Sequence, residues 1–423
     1  MKISIYITAA LVALGIVSQA GASTTVYLTG STAFRSTLYA ALSGTSVFDA
    51  PPSLVTYGSA TASKANYMVF HGTINSTNDV YINCAWSGSE AGIASAANTT
   101  LKNTDRDGNL INLAGSPETW LDITKVTLDG STISTNPGSA LMETNSHGAD
   151  LAQADTSQAV SFTPYVAGTQ TALKDYGVQG IVPFTFVKNY NSSPSTEWSS
   201  LVNVSLPQVN VLFGHGYEPT AFFTGTASQT NQYVYLVGRN KGSGTRANEL
   251  ADTGYGTTKS VTQFSIGEGI EQAAVTNLVL DYENNNGYES GGNVATALSI
   301  DGSCGQTDPF FPSHSGWYAI GFLGCSDATS TKLTPNWLTA DGVMESDGAV
   351  EEGQYYLWGH QHLFGKYQIS GVQDITGSKI LTGVQNYLTT TLAGATPSAH
   401  SAGIALTYMH CDKASDVAYP TRN

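Results

Sequence analysis

Seventeen residues, Val234–Leu250 (VYLVGRNKGSGTRANEL), constrain this chain most. An apolar strand, Val234–Val237, runs into Gly238 and Arg239; Gly242-Ser243-Gly244-Thr245 follows, and a helical pattern starts at Thr245. Glycines at a strand-to-helix junction let the backbone approach a ligand or another chain closely. The first amides of such a helix point outward without intrahelical partners, at the positive end of its dipole. Ser243 and Thr245 add hydroxyls, and Arg239 adds a planar cation suited to phosphate oxygens. The same residues also fit a glycine-rich turn capped by a hydroxyl, with Arg239 as a surface cation.

The geometry recurs. Thr25–Leu28 reads as a strand, Thr29-Gly30-Ser31-Thr32 as a loop, and Ala33–Leu42 as a helix with Phe34, Leu38 and Leu42 on one face. Val80–Trp86, Ser87-Gly88-Ser89 and Ala91–Asn98 repeat the sequence of strand, loop and helix. Residues 99–147 differ: they are polar, with turn pairs Asp107-Gly108 and Asp129-Gly130, and read as inserted surface β-hairpins. Within them Asn103–Asn109 has the oxygen spacing of a calcium loop, but Ala114 stands where a bidentate glutamate is required, so a plain hairpin turn is the favoured reading.

Further along, Gly148–Asp155 reads as a short buried segment with two carboxylates, Gly180–Lys188 as a strand, and Val294–Leu298 as a helix. Trp317–Leu323 and Gly353–Leu363 read as β, and Lys379–Leu392 as an amphipathic helix, apolar at Ile380, Leu381, Val384, Tyr387 and Leu388. Strands alternate with helices, which argues for α/β layers.

Lys2, the apolar run Ile3–Val17 and Ala20-Gly21-Ala22 have the pattern of a secretory signal, giving a periplasmic or secreted protein. A net charge of −15 makes nucleic acid and anionic membrane poor partners. An anion ligand stays compatible with that charge, because local amide dipoles can hold it. Four cysteines, Cys84, Cys304, Cys325 and Cys411, lie beyond the signal; Cys304 with Cys325 is the preferred disulfide, and Cys84 with Cys411 a second.

Together these segments resemble the periplasmic phosphate-binding proteins of ABC importers, in the type 2 periplasmic-binding superfamily. The resemblance rests on LTGSTAF at Leu28–Phe34, SGSEAGI at Ser87–Ile93, ADLAQAD at Ala149–Asp155 and, most specifically, GRNKGSGTR at Gly238–Arg246. GIVPFTFVKN, SLPQVNVLFG, YAIGF and EEGQYYLW follow the same order. It implies an α/β fold of two lobes joined by two hinge crossovers, with the β-rich insertion added. The implied division is a signal peptide at 1–22, lobe 1 at 23–181 with the insertion at 99–147, lobe 2 at 182–322, and a return to lobe 1 at 323–423.

The resemblance also implies a phosphate shell of Ser31, Thr32, Ala33, Ser89, Asp155, Arg239, Ser243, Gly244 and Thr245. Asp155 would accept the proton of hydrogen phosphate, which sulfate lacks near neutral pH. Glu90 departs from the family pattern and is expected to point outward, capping the helix that starts near Ala91. The function implied is capture of inorganic phosphate, or a related tetrahedral oxyanion, by a monomer that delivers it to an ABC permease, with no cofactor and no metal.

Two other classes compete. A secreted phosphate-ester hydrolase needs a metal or a nucleophile. Ser243 has no G-x-S-x-G elbow or assignable base, and His360 with His362 has no third metal ligand in a recognisable spacing, so one exposed and one packed histidine is the preferred reading. Trp86, Tyr318 and Trp358 read as core residues. A cell-surface or matrix protein would keep the lobes as scaffold and bind through the insertion.

Overall fold

The computed structural model describes residues 22–105, 107–112, 118–159, 161, 172–267, 280–302, 307–314, 316–392, 403–416 and 418–422. The signal segment, apart from Ala22, and Cys304 lie outside the described residues.

Thirteen strands form one mixed sheet. Along the chain they are β1 (Thr24–Gly30), β2 (Ser53–Tyr57), β3 (Tyr67–Ile74), β4 (Asn78–Ala85), β5 (Thr132–Ile133), β6 (Leu151–Ala154) and β7 (Lys174–Lys188). The remainder are β8 (Tyr217–Pro219), β9 (Gln232–Val237), β10 (Gln263–Ile266), β11 (Leu280–Asn284), β12 (Gly316–Gly324) and β13 (Trp358–Gly365). Across the sheet the order is β11-β10-β9-β12-β7-β13-β6-β1-β4-β3-β2-β5, with β8 on the side of β9. β1 is parallel to β4 and β6, and β9 is parallel to β10 and β12.

The 15-residue strand β7 joins the two halves. Its residues up to Pro183 pair with β13, and Phe184–Lys188 pair with β12. Gly180–Lys188, read as a strand, is the part that changes partners. One buried cluster spans both halves, from Leu28, Phe34, Ile82 and Trp358 through Phe184 and Phe322 to Val234 and Leu250; a second, around Tyr235, Tyr288 and Trp317, lies on the β9 side. Tyr318 and Trp358 are core residues, as expected; Tyr318 stacks on Trp198 at 4.0 Å between ring centroids.

Six helices position the site or pack beside it: α1 (Arg35–Ser43), α2 (Ser89–Ala96), α3 (Leu206–His215), α4 (Gly244–Asp252), α5 (Gly291–Leu298) and α6 (Gly371–Asn386). α1 buries Leu38 and Leu42, below the buried Phe34, as the four-residue spacing predicts. α3 is set by a capping box, Ser205 with Gln208, and stops at Gly216 in the left-handed region. α6 starts eight residues before the Lys379 read from the sequence. Its early turns carry Gly371 and Gly377, and a Cβ at 377 would lie 2.5 Å from the Tyr176 ring. Close packing, not an apolar stripe, forms that part of the helix.

The insertion is docked rather than only surface decoration. Trp120 is fully buried, packs on Tyr27 at 5.0 Å, and donates from Nε1 to the His147 carbonyl at 3.1 Å. Asn83 in β4 donates to the Leu121 carbonyl at 2.7 Å, which ties the insertion to the sheet. The calcium-like stretch forms a β-hairpin, Lys102–Thr104 with Leu110–Asn112. Asp105 Oδ1 is spent closing it, accepting from the Asp107 and Asn109 amides at 3.0 and 2.7 Å.

The disulfide expectation is corrected. Cys84, Cys325 and Cys411 are free and buried, so the Cys84–Cys411 bridge does not form and Cys325 carries none; Cys304, its expected partner, lies outside the described residues. Cys84 sits inside the cluster that spans both halves, while the Cys411 thiol points at the Val350 carbonyl at 3.4 Å. Cys325 faces Glu345, and burial pushes its thiol well above the usual range.

Candidate functional site

Parallel neighbours in a sheet deliver their following loops to the same edge, where helix N-termini and loop residues can converge. Here the loops after β1, β4, β6 and β9 meet. The Ser31 amide donates to the Gln153 carbonyl at 2.8 Å, and the Gly88 amide to the Gly30 carbonyl at 3.0 Å. Gly30, at φ +122, is required there, because a Cβ would lie 1.9 Å from the Gln153 carbonyl oxygen.

Asp155 is the centre of the arrangement. It is buried, Ser89 Oγ donates to its Oδ1 at 2.6 Å, and Thr245 Oγ1 approaches its Oδ2 at 3.5 Å. Asn248 of α4 donates to its carbonyl at 2.7 Å. Burial raises the Asp155 carboxyl to about 6, against the Ser89 hydrogen bond and the Arg239 charge, which both favour the ionised form. Gly244 opens α4 directly against it: a Cβ at 244 would lie 1.6 Å from Asp155 Oδ1 and 2.6 Å from Ser89 Cβ.

Arg239 is buried, not a surface cation. Its Nη2 donates to the Glu289 carbonyl at 2.7 Å and its Nε to the Tyr288 carbonyl at 3.3 Å. Burial lowers its pKa to about 10, with Asp327 and Asp155 acting the other way, so it stays charged at neutral pH. Ser243 caps α4, accepting from the Arg246 amide at 3.2 Å. The Ser31 and Thr32 hydroxyl oxygens are buried and have no hydrogen-bond partner among the described residues. Ala33 accepts from Ser326 through its carbonyl at 3.0 Å.

Ser89, Asp155, Gly244 and Thr245 are therefore in one contact group, with Arg239 electrostatically coupled to Asp155. Ser31, Thr32 and Ala33 lie on the loop that follows β1, beside Gly88 and β6. The α2 N-terminus already has an acceptor. The Gly242 carbonyl receives the Glu90 and Ala91 amides at 3.0 and 3.3 Å, so the α4 loop latches onto α2.

Glu90 corrects the expectation that it points outward. It is fully buried, accepting from Thr156 at 2.7 Å and Ser161 at 2.6 Å, and so ties the segment after Asp155 to α2. Trp86 sits at the edge of the core and packs against it. It is partly buried and lines a cavity of about 200 Å³ beside Ser87 and Asn240. His360 and His362 share one strand face, both partly buried, bonded to Asp412 at 2.9 Å and facing Asp175 at 3.3 Å respectively. Among the described residues no three His, Cys, Asp or Glu side chains are grouped to hold a metal.

Sequence reading missed several neighbours. Arg35 on α1 is buried and holds the Ala65 carbonyl at 3.2 Å, and its charge acts on Asp327. Arg246 braces the α4 loop, donating to the Arg239 carbonyl at 2.9 Å and the Asn285 carbonyl at 3.0 Å. Glu118, from the insertion, accepts from Thr29 at 2.8 Å and from Ser87, and burial raises it to about 8. Only Arg246 had a signal, as the last residue of GRNKGSGTR.

The chain is similar in structure to phosphate-binding proteins of ABC importers. One is a protein from Clostridium perfringens, named as a phosphate ABC transporter substrate-binding protein and solved with bound phosphate. It is 12% identical, with 90% of this chain and 100% of that chain covered, at a TM-score of 0.47. An ABC-type phosphate transport receptor from Vibrio cholerae is 10% identical, with 88% and 97% covered, at a TM-score of 0.40. PstS from Borrelia burgdorferi is 11% identical, with 86% and 97% covered, at a TM-score of 0.33. No protein-family profile matches the sequence, and no curated protein matches it. Among the described residues no helix is long and apolar enough to cross a membrane.

Proposed function

We propose that this chain is a non-enzymatic solute-binding protein that captures inorganic phosphate, or a related tetrahedral oxyanion, between two lobes for delivery to an ABC permease. The lobes are residues 23–181 with 323–423, and 182–322, hinged at the partner change in β7 and at β12. The shell is Ser31, Thr32, Ala33, Ser89, Asp155, Arg239, Ser243, Gly244 and Thr245.

One observation carries this reading: a buried carboxylate and a buried guanidinium, Asp155 and Arg239, act on each other, and the Ser31–Thr32 loop, whose hydroxyls have no partner among the described residues, is bonded to Gln153 two residues before Asp155. Arg239 supplies charge-assisted bonds to phosphate oxygens, and the hydroxyls donate. Asp155 accepts the ligand's own proton, so an anion without one meets an unpaired buried carboxylate. Entering phosphate takes the place of the Gly242 carbonyl as acceptor for the Glu90 and Ala91 amides, which separates the latched loops before they close again on the ligand.

That latch also favours a second reading, in which the two halves are a scaffold locked by protein-protein contacts and the insertion does the binding. Calorimetric titration with phosphate, arsenate, sulfate and molybdate separates them. The oxyanion reading expects phosphate and arsenate to bind and sulfate to fail; the scaffold reading expects no heat from any of the four.

A further inference from the structure

The cavity of about 200 Å³ is lined by chain neighbours of two shell residues, Ser89 and Arg239. Asn240 follows Arg239 in the chain, Ser87 precedes the Gly88–Ser89 turn, and Glu289, another lining residue, is the one whose carbonyl takes the Arg239 Nη2 bond. The volume is roughly ten times what one water needs. It is bounded from both sides: Trp86, Glu118 and Asn66 come from the β1 half and its insertion, Asn240, Glu289 and Asn293 from the β9 half.

The lining has a definite chemistry. No lysine, arginine or histidine is among its described residues, so it does not suit a second anionic group. It is polar, dominated by side-chain amides with serine hydroxyls and two carboxyls, so it does not suit an acyl chain. Each amide both donates and accepts, as each hydroxyl of a polyol does. The Asn240 carbonyl group already takes the Gly242 amide at 2.9 Å, which leaves its NH2 as donor. The Trp86 indole Nε1 is buried with no hydrogen-bond partner, and its ring offers an apolar face beside Tyr67.

We propose that the ligand is a phosphate monoester of a polyol or sugar, with one proton shared between its phosphoryl group and Asp155 in the Asp155–Arg239 shell and with the hydroxylated part in this cavity; a monoester gives up its second proton near about pH 6, so it is held best at or below that pH. The proposal rests on the oxyanion reading of the shell and narrows it from inorganic phosphate to an organic ester. The asparagine amides then bridge neighbouring ligand hydroxyls, and Trp86 Nε1 gains an acceptor. Glu118 already accepts from Thr29 and Ser87 and, being buried, holds its proton to about 8, so it offers no full charge near neutral pH.

The test is calorimetric titration of the full chain, at about pH 6 where a monoester still holds its second proton in part, with glucose 6-phosphate, glycerol 3-phosphate, phosphoethanolamine, glucose and inorganic phosphate. The expected result is that a hydroxylated ester binds about tenfold or more tightly than inorganic phosphate, the gain of a few net hydrogen bonds. Asn136→Ala and Asn293→Ala, at the cavity rim, then weaken the ester several-fold relative to inorganic phosphate measured on the same variant. If inorganic phosphate binds as tightly as every ester, or phosphoethanolamine binds best, the proposal is overturned and the oxyanion reading stands. If no phosphate compound binds at all, the oxyanion reading itself falls, and this inference with it.

Discussion

Gly244 and Asp155 touch: a Cβ built on Gly244 would lie 1.6 Å from Asp155 Oδ1. The first residue of α4 and the last residue of ADLAQAD, some ninety positions apart, can meet only because residue 244 has no side chain. Gly244→Ala must therefore push Asp155 or α4 aside. Overpacking of this kind costs about 1–3 kcal/mol. We expect a lower unfolding temperature together with loss of oxyanion binding, read by thermal melts and calorimetry on the same preparation. Unchanged binding in the alanine variant would separate Gly244 from the site.

Asp155 makes stability depend on pH in a defined direction. Its carboxyl is raised by burial to about 6, so the folded state favours the protonated form. The contribution is full below the ordinary aspartate range and is lost as pH rises through about 6. Two units amount to on the order of 3 kcal/mol. Arg239 moderates the shift, and Asp416, which accepts from the Ser157 amide at 2.7 Å, adds to it. Denaturant melts of ligand-free protein should show that slope, and Asp155→Asn should flatten it.

Arg239→Ala should weaken oxyanion binding by about 2–5 kcal/mol, the usual cost of truncating a buried charge-assisted partner. It should also lower the stability of the ligand-free protein, because the guanidinium holds the Tyr288 and Glu289 carbonyls. Arg239→Lys should not restore binding, since an ammonium cannot reproduce the planar fork. Wild-type affinity in either variant would remove Arg239 from the shell.

Much of the fold was legible because strand, glycine-hydroxyl loop and helix recur with clear boundaries. β1–α1, β4–α2 and β9–α4 all lie within a residue or two of where the alternation and spacing put them. What escaped was long-range burial of polar groups. Glu90 looked like an exposed cap, but Thr156 and Ser161, more than sixty residues away, satisfy it in the interior. Glu118 sits in a polar insertion with no local pattern, and only the folded sheet brings Thr29 and Ser87 to it. The cysteine count suggested bridges, yet Cys84 is simply a buried apolar residue of β4. Asp155 itself carried no local signal; its place in an ordered set of motifs marked it.

The insertion gives a prediction of its own. Trp120 is fully buried against Tyr27, Ala85 and Ala149, so Trp120→Ala should cost about 3–5 kcal/mol. A denaturant midpoint close to wild type would mean that residues 118–147 are an appendage independent of the β1 half.

The most direct measurement is a paired titration with sulfate and phosphate, at about pH 7.5, of wild type and Asp155→Asn. At that pH sulfate carries no proton and Asp155, raised only to about 6, is ionised. The account predicts that wild type binds phosphate and rejects sulfate, by up to about 10⁴-fold where an unpaired buried polar group enforces the choice. It predicts that the asparagine variant, whose amide can donate, gains measurable sulfate binding and keeps some phosphate binding. Sulfate binding to wild type as tight as phosphate would contradict it, because Asp155 would then not be reading the proton.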